Sequence, residues 1–186
     1  MDAHTHVFGY GSLVNRLTHP HAAAPARVKG WRRTWRGTAR RQLAFLSAEP
    51  DPAAEIEGLV AAVAPGAWPA LDAREAGYAR ISLAPEQVGA DGVAIYAIPA
   101  EPVARDLAEH PILLSYLDVV VQGFLAEFGP GGAARFFETT SVWQAPVLDD
   151  RARPIYPRAQ RLTAEARETV DGALARLRVT PVGGAG

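Results

Sequence analysis

The sequence predicts one α+β domain, with strands in the first half of the chain and helices in most of the second. Short β-rich runs separated by turn residues dominate up to residue 98, whereas apolar residues at helical spacing dominate after residue 111. This segregation is typical of an α+β fold and differs from the regular alternation of a doubly wound parallel sheet. The length of 186 residues fits a single core, because a chain of this size buries roughly 70% of its unfolded surface.

Composition excludes several classes of protein. The chain has no Cys, which rules out a disulfide scaffold, a thiolate nucleophile and cysteine-ligated metal clusters and favours a cytoplasmic location. Nineteen basic and 20 acidic residues give a net charge of −1, so we expect no nucleic-acid partner. The first ten residues do not resemble a signal peptide, and the longest apolar run, residues 112–128, is too short and too polar to span a membrane.

Six strands are predicted in the first half of the chain. Residues 6–10 form a short β-rich run, and residues 56–64 form an apolar run closed by Pro65-Gly66. Prolines at 50 and 52 predict an exposed loop over residues 49–52. The remaining predicted strands cover residues 28–38, 42–47, 78–83 and 92–98.

The predicted helices differ in how much of their surface is apolar. A short helix over residues 67–76 ends before Gly77, which suits a left-handed cap. Residues 111–128 are apolar nearly all round, so this helix should lie in the core and end at the glycines after residue 128. A short helix over 133–139, an irregular segment over 146–157 and a helix capped by Thr163 follow. The domain is expected to cover residues 1–181, with a flexible tail over 182–186.

A glycine turn follows the first predicted strand, in the sequence Phe8-Gly9-Tyr10-Gly11-Ser12-Leu13. It lacks the third glycine of a dinucleotide fingerprint and the Gly-Lys-Ser/Thr ending of a phosphate loop. Consecutive backbone N–H groups in such a turn can bind an anion or a developing oxyanion. A turn that ends a strand and binds nothing explains the same residues, so both interpretations stay open.

Glu75 is the candidate general acid–base. It shares a helix face with Trp68 and Leu71, so an apolar stripe ends in a carboxylate. Burial and the negative end of the helix dipole would both raise the pKa of Glu75, which suits proton transfer near neutral pH. The alternative is an exposed ion pair of Glu75 with the neighbourhood of Arg74 or with Arg80.

Two histidines suggest a separate metal site. His4 and His6 alternate on a predicted strand, and the run from Asp2 to His6 looks like the first strand of metal-dependent amidohydrolases. Those enzymes use a TIM barrel, which typically needs about 250 residues. The competing interpretation is a pair of solvated histidines. Further metal ligands would have to come from His19, His21 and His110.

Three other features carry weaker signals. Ser12 is not in a Gly-x-Ser-x-Gly elbow, which disfavours a serine nucleophile. Tryptophans and arginines interleave over residues 31–36, which we interpret as a strand with outward arginines and an inward aromatic row. Tyr116 and Tyr156 could reach a cleft.

Four motifs, in their order and separation, resemble the gamma-glutamylcyclotransferase superfamily and come closest to its ChaC-type branch. The resemblance covers about the first 100 residues, and beyond Pro99 the chain has no close match to that branch. The motifs are Val7-Phe8-Gly9-Tyr10-Gly11-Ser12-Leu13, Gly30-Trp31-Arg32-Arg33, Glu57-Gly58-Leu59-Val60 and Leu71-Asp72-Ala73-Arg74-Glu75 running into Gly77-Tyr78.

The resemblance implies a small mixed β-barrel flanked by helices and an enzyme of the amide-cleaving lyase or acyltransferase type. The α-amine of a small γ-glutamyl substrate would attack its own γ-carbonyl and release 5-oxoproline and an amine, with no metal and no organic cofactor. Glutathione, γ-glutamyl amino acids and γ-glutamyl amines are all open as substrates, and the oligomeric state is not readable. The implied catalytic residue is Glu75, and the implied substrate-binding loop is Tyr10, Gly11, Ser12 and Leu13.

Tyr78 joins this set for a different reason, since it follows Glu75 closely and lies on the polar face of its predicted strand. It is expected to orient the substrate or the carboxylate. Two alternatives to the enzyme are kept: a module on the same fold that binds a small anion without turnover, and a metal-dependent hydrolase that uses His4 and His6.

Overall fold

The computed structural model describes residues 3–38, 41–99 and 107–183, which contain nine strands and four α-helices. The helices are α1 (Trp68–Arg74), α2 (Pro85–Val88), α3 (Leu114–Glu138) and α4 (Ala164–Arg176). The strands are β1 (His6–Gly9), β2 (Ala23–Thr38), β3 (Arg41–Ala62), β4 (Ala79–Ser82), β5 (Val93–Ala97), β6 (Ile112–Leu113), β7 (Thr140–Ser141), β8 (Val147–Asp149) and β9 (Val182–Gly183).

A mixed six-stranded sheet forms the centre of the molecule, in the order β4-β5-β1-β3-β2-β7. Strand β1 is antiparallel to β3 and parallel to β5, so the α+β prediction is confirmed. The predicted barrel is wrong, because β4 and β7 lie at opposite edges and do not pair with each other within the described residues. Closing a barrel requires hydrogen bonds between the first and last strands, and β7 offers only two residues, which pair with β2.

Strands β2 and β3 form one long hairpin, and the predicted loop over residues 49–52 is wrong. Glu49 pairs with Arg32 and Pro50 with Trp31. The ladder then breaks, because the next pair is Lys29 with Glu55. Gly30, at a φ of +79°, therefore faces four residues of β3, 51–54. A glycine with positive φ accommodates such a bulge, and a bulge tolerates prolines that cannot donate to the ladder.

Helix α3 is the core helix that its apolar sequence predicts. Leu117, Val120 and Phe124 are fully buried, and they belong to the main hydrophobic core, which also contains β-strand residues. The predicted break at the glycines is confirmed: Gly129 has non-helical angles, with φ of 66° and ψ of −172°, and Pro130 follows it. A smaller core cluster forms where Trp68 and Leu71 of α1 pack against the sheet.

The last part of the chain adds a second, smaller sheet of three parallel strands in the order β6-β8-β9. The segment predicted to be irregular, residues 146–157, contributes β8. Val182 and Gly183, which the sequence places in a tail, pair with β8 instead, while residues 184–186 lie outside the described residues. The domain limits stay a prediction. Among the described residues no helix is long and apolar enough to cross a membrane.

Candidate active site

The glycine turn follows directly from the end of β1. A 3₁₀ turn over Ser12–Val14 continues it, in which the Val14 N–H donates to the Gly11 carbonyl at 2.9 Å. Close packing explains the glycines, since a Cβ on Gly9 would lie 2.3 Å from the Cβ of Leu13. A Cβ on Gly11 would lie 2.6 Å from the hydroxyl of Tyr116. A larger residue at position 9 would therefore displace the turn, and one at position 11 would collide with the Tyr116 side chain.

A buried arginine, Arg33, bonds to the backbone of the glycine turn. Arg33, only 1% exposed, donates from Nε to the Tyr10 carbonyl at 3.1 Å and from Nη2 to the Glu57 carbonyl. Its Nη1 donates to Thr139 Oγ1 at 2.7 Å, so the guanidinium joins the turn to β3 and to the end of α3. Burial lowers the pKa of Arg33 to about 9, and the Glu57 carboxylate opposes this effect.

The sequence interpretation of the Trp-Arg segment as a strand with outward arginines is wrong at Arg33. Arg32 and Arg36 do point to the periphery, where both bond to Glu49. Arg33 points inward with Trp31 and Trp35, because residues two apart on a strand share a face. That alternation is visible in the sequence and would have placed Arg33 in the core.

Glu75 lies at the end of α1, where its N–H donates to the Leu71 carbonyl at 2.9 Å. Its carboxylate is 3.0 Å from Nε of Arg74, and its side chain is 20% exposed. Burial raises the pKa of Glu75, and the positive charges of Arg74 and Arg158 only partly offset the rise. The ion pair that was the alternative to burial therefore forms with Arg74 while the carboxylate stays mostly buried.

The structure brings all six residues predicted for the site into one small cavity of about 50 Å³. Glu75 and the glycine turn line the same cavity, so a small group bound there would lie close to both. Its walls include Tyr10, Gly11, Ser12, Leu13, Glu75 and Tyr78, together with Phe8, Gly9, Leu46 and Tyr96.

The tyrosines of this cavity are neutral hydrogen-bond donors with fixed partners. The Tyr10 hydroxyl donates to the Tyr96 carbonyl at 2.6 Å, and the Tyr78 hydroxyl donates to the Leu46 carbonyl at 2.9 Å. Burial raises the pKa of both phenols, and the negative charge of Glu75 adds to the rise. Tyr78 can still accept a hydrogen bond from a ligand, but its proton is committed to the backbone.

A larger cleft, of about 840 Å³, opens next to the small cavity and shares Ser12, Leu46, Glu75 and Tyr78 with it. Tyr116 and Tyr156, which the sequence analysis noted as residues that could reach a cleft, both line it. Their rings pack edge to face with centroids 5.1 Å apart. Glu75 thus lies at the junction of a small compartment and a large one.

The two histidines of the proposed metal site have different partners. His4 Nε2 lies 2.7 Å from Ser82 Oγ, and His6 Nδ1 lies 2.9 Å from Thr5 Oγ1. Within the described ranges, no group of three or more His, Asp or Glu side chains is arranged to hold a metal ion.

Comparison with known proteins identifies the fold. No protein-family model matches this chain, and no curated protein matches it. Its structure is similar to that of a gamma-glutamyl cyclotransferase, with a TM-score of 0.56 and 15% identity over 90% of this chain and 98% of the other. It is also similar to the human uncharacterized protein loc79017, with a TM-score of 0.52 and 14% identity over 90% of this chain and 98% of the other.

A third similar structure is YkqA from Bacillus subtilis, with a TM-score of 0.53 and 13% identity; the match covers 72% of this chain and about half, 53%, of YkqA. Identities of this size establish the fold alone. The chain therefore has the fold of the gamma-glutamyl cyclotransferase-like structures, and the resemblance drawn from its motifs is confirmed at that level. Its placement in the ChaC-type branch stays a prediction.

Proposed function

We propose that this protein is a γ-glutamyl cyclotransferase that releases 5-oxoproline from a small γ-glutamyl substrate, with Glu75 as its general acid–base. The observation that carries the proposal is that the mostly buried carboxylate of Glu75 and the glycine turn line one small cavity. The similarity in fold to a gamma-glutamyl cyclotransferase supports it. A cytoplasmic location belongs to the same proposal.

The reaction needs no nucleophile from the protein. The substrate's α-amine attacks its own γ-carbonyl, a new C–N bond closes the five-membered lactam, and the original amide C–N bond breaks. Well-oriented intramolecular attack reaches effective molarities of about 10⁵ M or more. The protein then has three tasks, which are to hold the folded conformation, to move one proton and to stabilise the oxyanion.

Glu75 suits the proton transfer because burial raises the pKa of its carboxylate. It takes a proton from the substrate ammonium and returns a proton to the departing nitrogen, so the enzyme ends the cycle unchanged. We assign stabilisation of the developing oxyanion to backbone amides of the glycine turn, whose Tyr10 carbonyl is held by Arg33. Tyr78 accepts a hydrogen bond from the substrate and helps to orient it.

A pair of substrates tests the proposal without any mutation. A γ-glutamyl peptide with a free α-amine should yield 5-oxoproline and amine in equal amounts, measured by chromatography and mass spectrometry. The same peptide with an acetylated α-amine has no nucleophile and should yield nothing. Release of N-acetylglutamate would indicate hydrolysis and contradict the proposal.

The alternatives predict other outcomes in the same assay. An anion-binding module would bind γ-glutamyl compounds in calorimetry without forming product. A hydrolase built on His4 and His6 would cleave the acetylated substrate and lose this activity when both histidines are replaced.

A further inference from the structure

The large cleft begins where the leaving group of the proposed reaction would depart. Glu75 lines both compartments. Because Glu75 would return a proton to the departing nitrogen, that nitrogen must lie beside it. The γ-glutamyl part then occupies the small cavity, and whatever is attached to the nitrogen extends into the cleft.

The size and the walls of the cleft indicate a bulky apolar occupant. Its volume of about 840 Å³ is many times that of the small cavity and lies within the range of pockets that bind drug-sized molecules, about 300–1,000 Å³. Leu43 and Phe45 of β3 line the cleft, together with Tyr116 and Tyr156. Ile155, a large apolar side chain that is 53% exposed, lies at the same cleft.

Among the described residues, the charges around the cleft are mainly positive. The charged side chains of this set that line the cleft are Glu75 and three arginines, Arg41, Arg74 and Arg158. Arg74 is paired with Glu75. Arg158 is close enough to lower the pKa of Glu75, yet none of the described carboxylates lies within 4 Å of its guanidinium. A planar guanidinium that faces a cleft without a carboxylate partner suits a carboxylate ligand.

Arg158 belongs to a segment that is held in place by a buried anchor. Asp150, 6% exposed, accepts hydrogen bonds from the N–H of Ser115 and the N–H of Ile155, both at 2.8 Å. The Ser115 hydroxyl also donates to Asp150, and the Tyr156 N–H reaches that hydroxyl at 3.4 Å. This network ties residues 155–156 to the start of α3, so the cleft wall next to Arg158 is preformed.

From these observations we infer that the substrate's leaving group is a peptide-sized apolar amine that ends in a carboxylate, and that Arg158 is the specificity-determining residue that binds this carboxylate. The inference rests on the proposed function and specifies its substrate class. Short γ-glutamyl compounds leave most of the cleft empty, and compounds without a terminal anion leave Arg158 without a ligand.

Three substrates and two variants test the inference. The substrates are γ-glutamyl-leucyl-phenylalanine as the free acid, the same peptide as its C-terminal amide, and γ-glutamylglycine. The variants are Arg158→Gln and, as a matched control, Arg153→Gln, because Arg153 is an exposed arginine of the same segment that does not line the cleft. All are assayed for 5-oxoproline at pH 8, with the thermal midpoint recorded for each variant.

For the wild type we expect the free acid to have a kcat/KM about tenfold above the amide and above γ-glutamylglycine, with the difference mainly in KM. A tenfold preference corresponds to one good charge-assisted contact, about 1.4 kcal/mol. Arg158→Gln should bring the acid-to-amide ratio close to one, and Arg153→Gln should keep it. A merely structural role of Arg158 would lower kcat/KM for acid and amide equally and would overturn the assignment.

The outcomes separate the two proposals. Equal turnover of acid and amide by the wild type, or a preference for γ-glutamylglycine, overturns the inference about the leaving group and leaves the cyclotransferase proposal standing. Absence of 5-oxoproline from all three substrates contradicts both.

Discussion

At the scale of single residues, two charged side chains are buried, Glu75 in the wall of the small cavity and Arg33 bonded to the glycine turn. Burial raises the pKa of Glu75 and lowers the pKa of Arg33, so it favours the neutral form of both side chains. Arg33 is compensated by three hydrogen bonds, whereas Glu75 has one ion pair with Arg74. We therefore expect the buried charge of Glu75 to serve catalysis while it lowers the stability of the folded protein.

The Glu75→Gln variant should be more stable than the wild type, by an amount that depends on pH. Because the folded-state pKa of Glu75 is raised above its ordinary value of 4.5, the stability linked to its proton is fully present below pH 4.5 and is lost as pH rises through the folded-state pKa. Glu75→Gln should therefore unfold at a higher temperature than the wild type at pH 7–8, and the difference should vanish at pH 4. Thermal unfolding across this range measures it. A variant that is less stable at pH 8 would mean that the pair with Arg74 outweighs burial.

Neighbouring residues in the sequence predict correctly that the Glu75 side chain points into the protein. The prediction that Arg33 points outward also came from its neighbours and is wrong. Helical spacing from Trp68 and Leu71 points position 75 towards the protein, and this information lies within eight residues. Arg33 was grouped with Arg32 and Arg36 because all three are charged, although strand alternation places it with Trp31 and Trp35.

At the scale of elements, helix α3 packs against the end of the 3₁₀ turn that continues the glycine turn. The Asn15 side chain donates to the Val119 carbonyl and to Gln122 Oε1, both at 3.0 Å. Gly123 permits this contact, because a Cβ there would lie 2.6 Å from the backbone N of Asn15. The helix and the turn therefore pack backbone against backbone.

Two glycine substitutions in helices should have opposite effects on stability. Gly123→Ala should lower the free energy of unfolding by about 1–3 kcal/mol, because the new methyl group has no room, and it should also slow turnover by moving the turn. Gly172→Ala is the matched control in α4, where a Cβ would be 3.6 Å from the flexible end of Arg176. It should gain roughly 0.5–1 kcal/mol from helix propensity. Urea unfolding of both variants measures the pair, and a neutral Gly123→Ala would refute the close packing.

The elements that the sequence predicted best are those with a local signal. The break of α3 at Gly129 and the cap of α4 at Thr163, whose side chain accepts from the Ala166 N–H at 3.1 Å, were both predicted from adjacent residues. The continuity of β3 could not be predicted in this way, because Pro50 and Pro52 are typical of loops. The pairing with β2 that keeps this segment in the sheet comes from residues about 20 positions away.

At the scale of the whole molecule, the site depends on contacts between distant parts of the chain. The small cavity joins residues 8–13 to residues 75–78, and the large cleft adds residues from β3, α3 and the segment before α4. The motifs therefore predict which residues line the small cavity. They do not predict the large cleft, because it is formed by segments that are far apart in the sequence. The same reasoning applies to the open sheet, whose lack of closure is decided by the two-residue strand β7.

Turnover by Glu75→Gln shows whether this carboxylate carries the proton of the reaction. Asp72→Asn is its matched control, because Asp72 is a carboxylate of α1 that is 44% exposed, lies 3.6 Å from Arg80 and lines neither compartment. The amide oxygen of Asn can still accept the hydrogen bond that the Tyr96 hydroxyl donates to Asp72. Release of 5-oxoproline from a γ-glutamyl peptide should fall by about 10²–10⁴-fold in Glu75→Gln, as expected for loss of a general acid–base, and should persist in Asp72→Asn. A folded Glu75→Gln protein that releases 5-oxoproline at the wild-type rate would contradict the account.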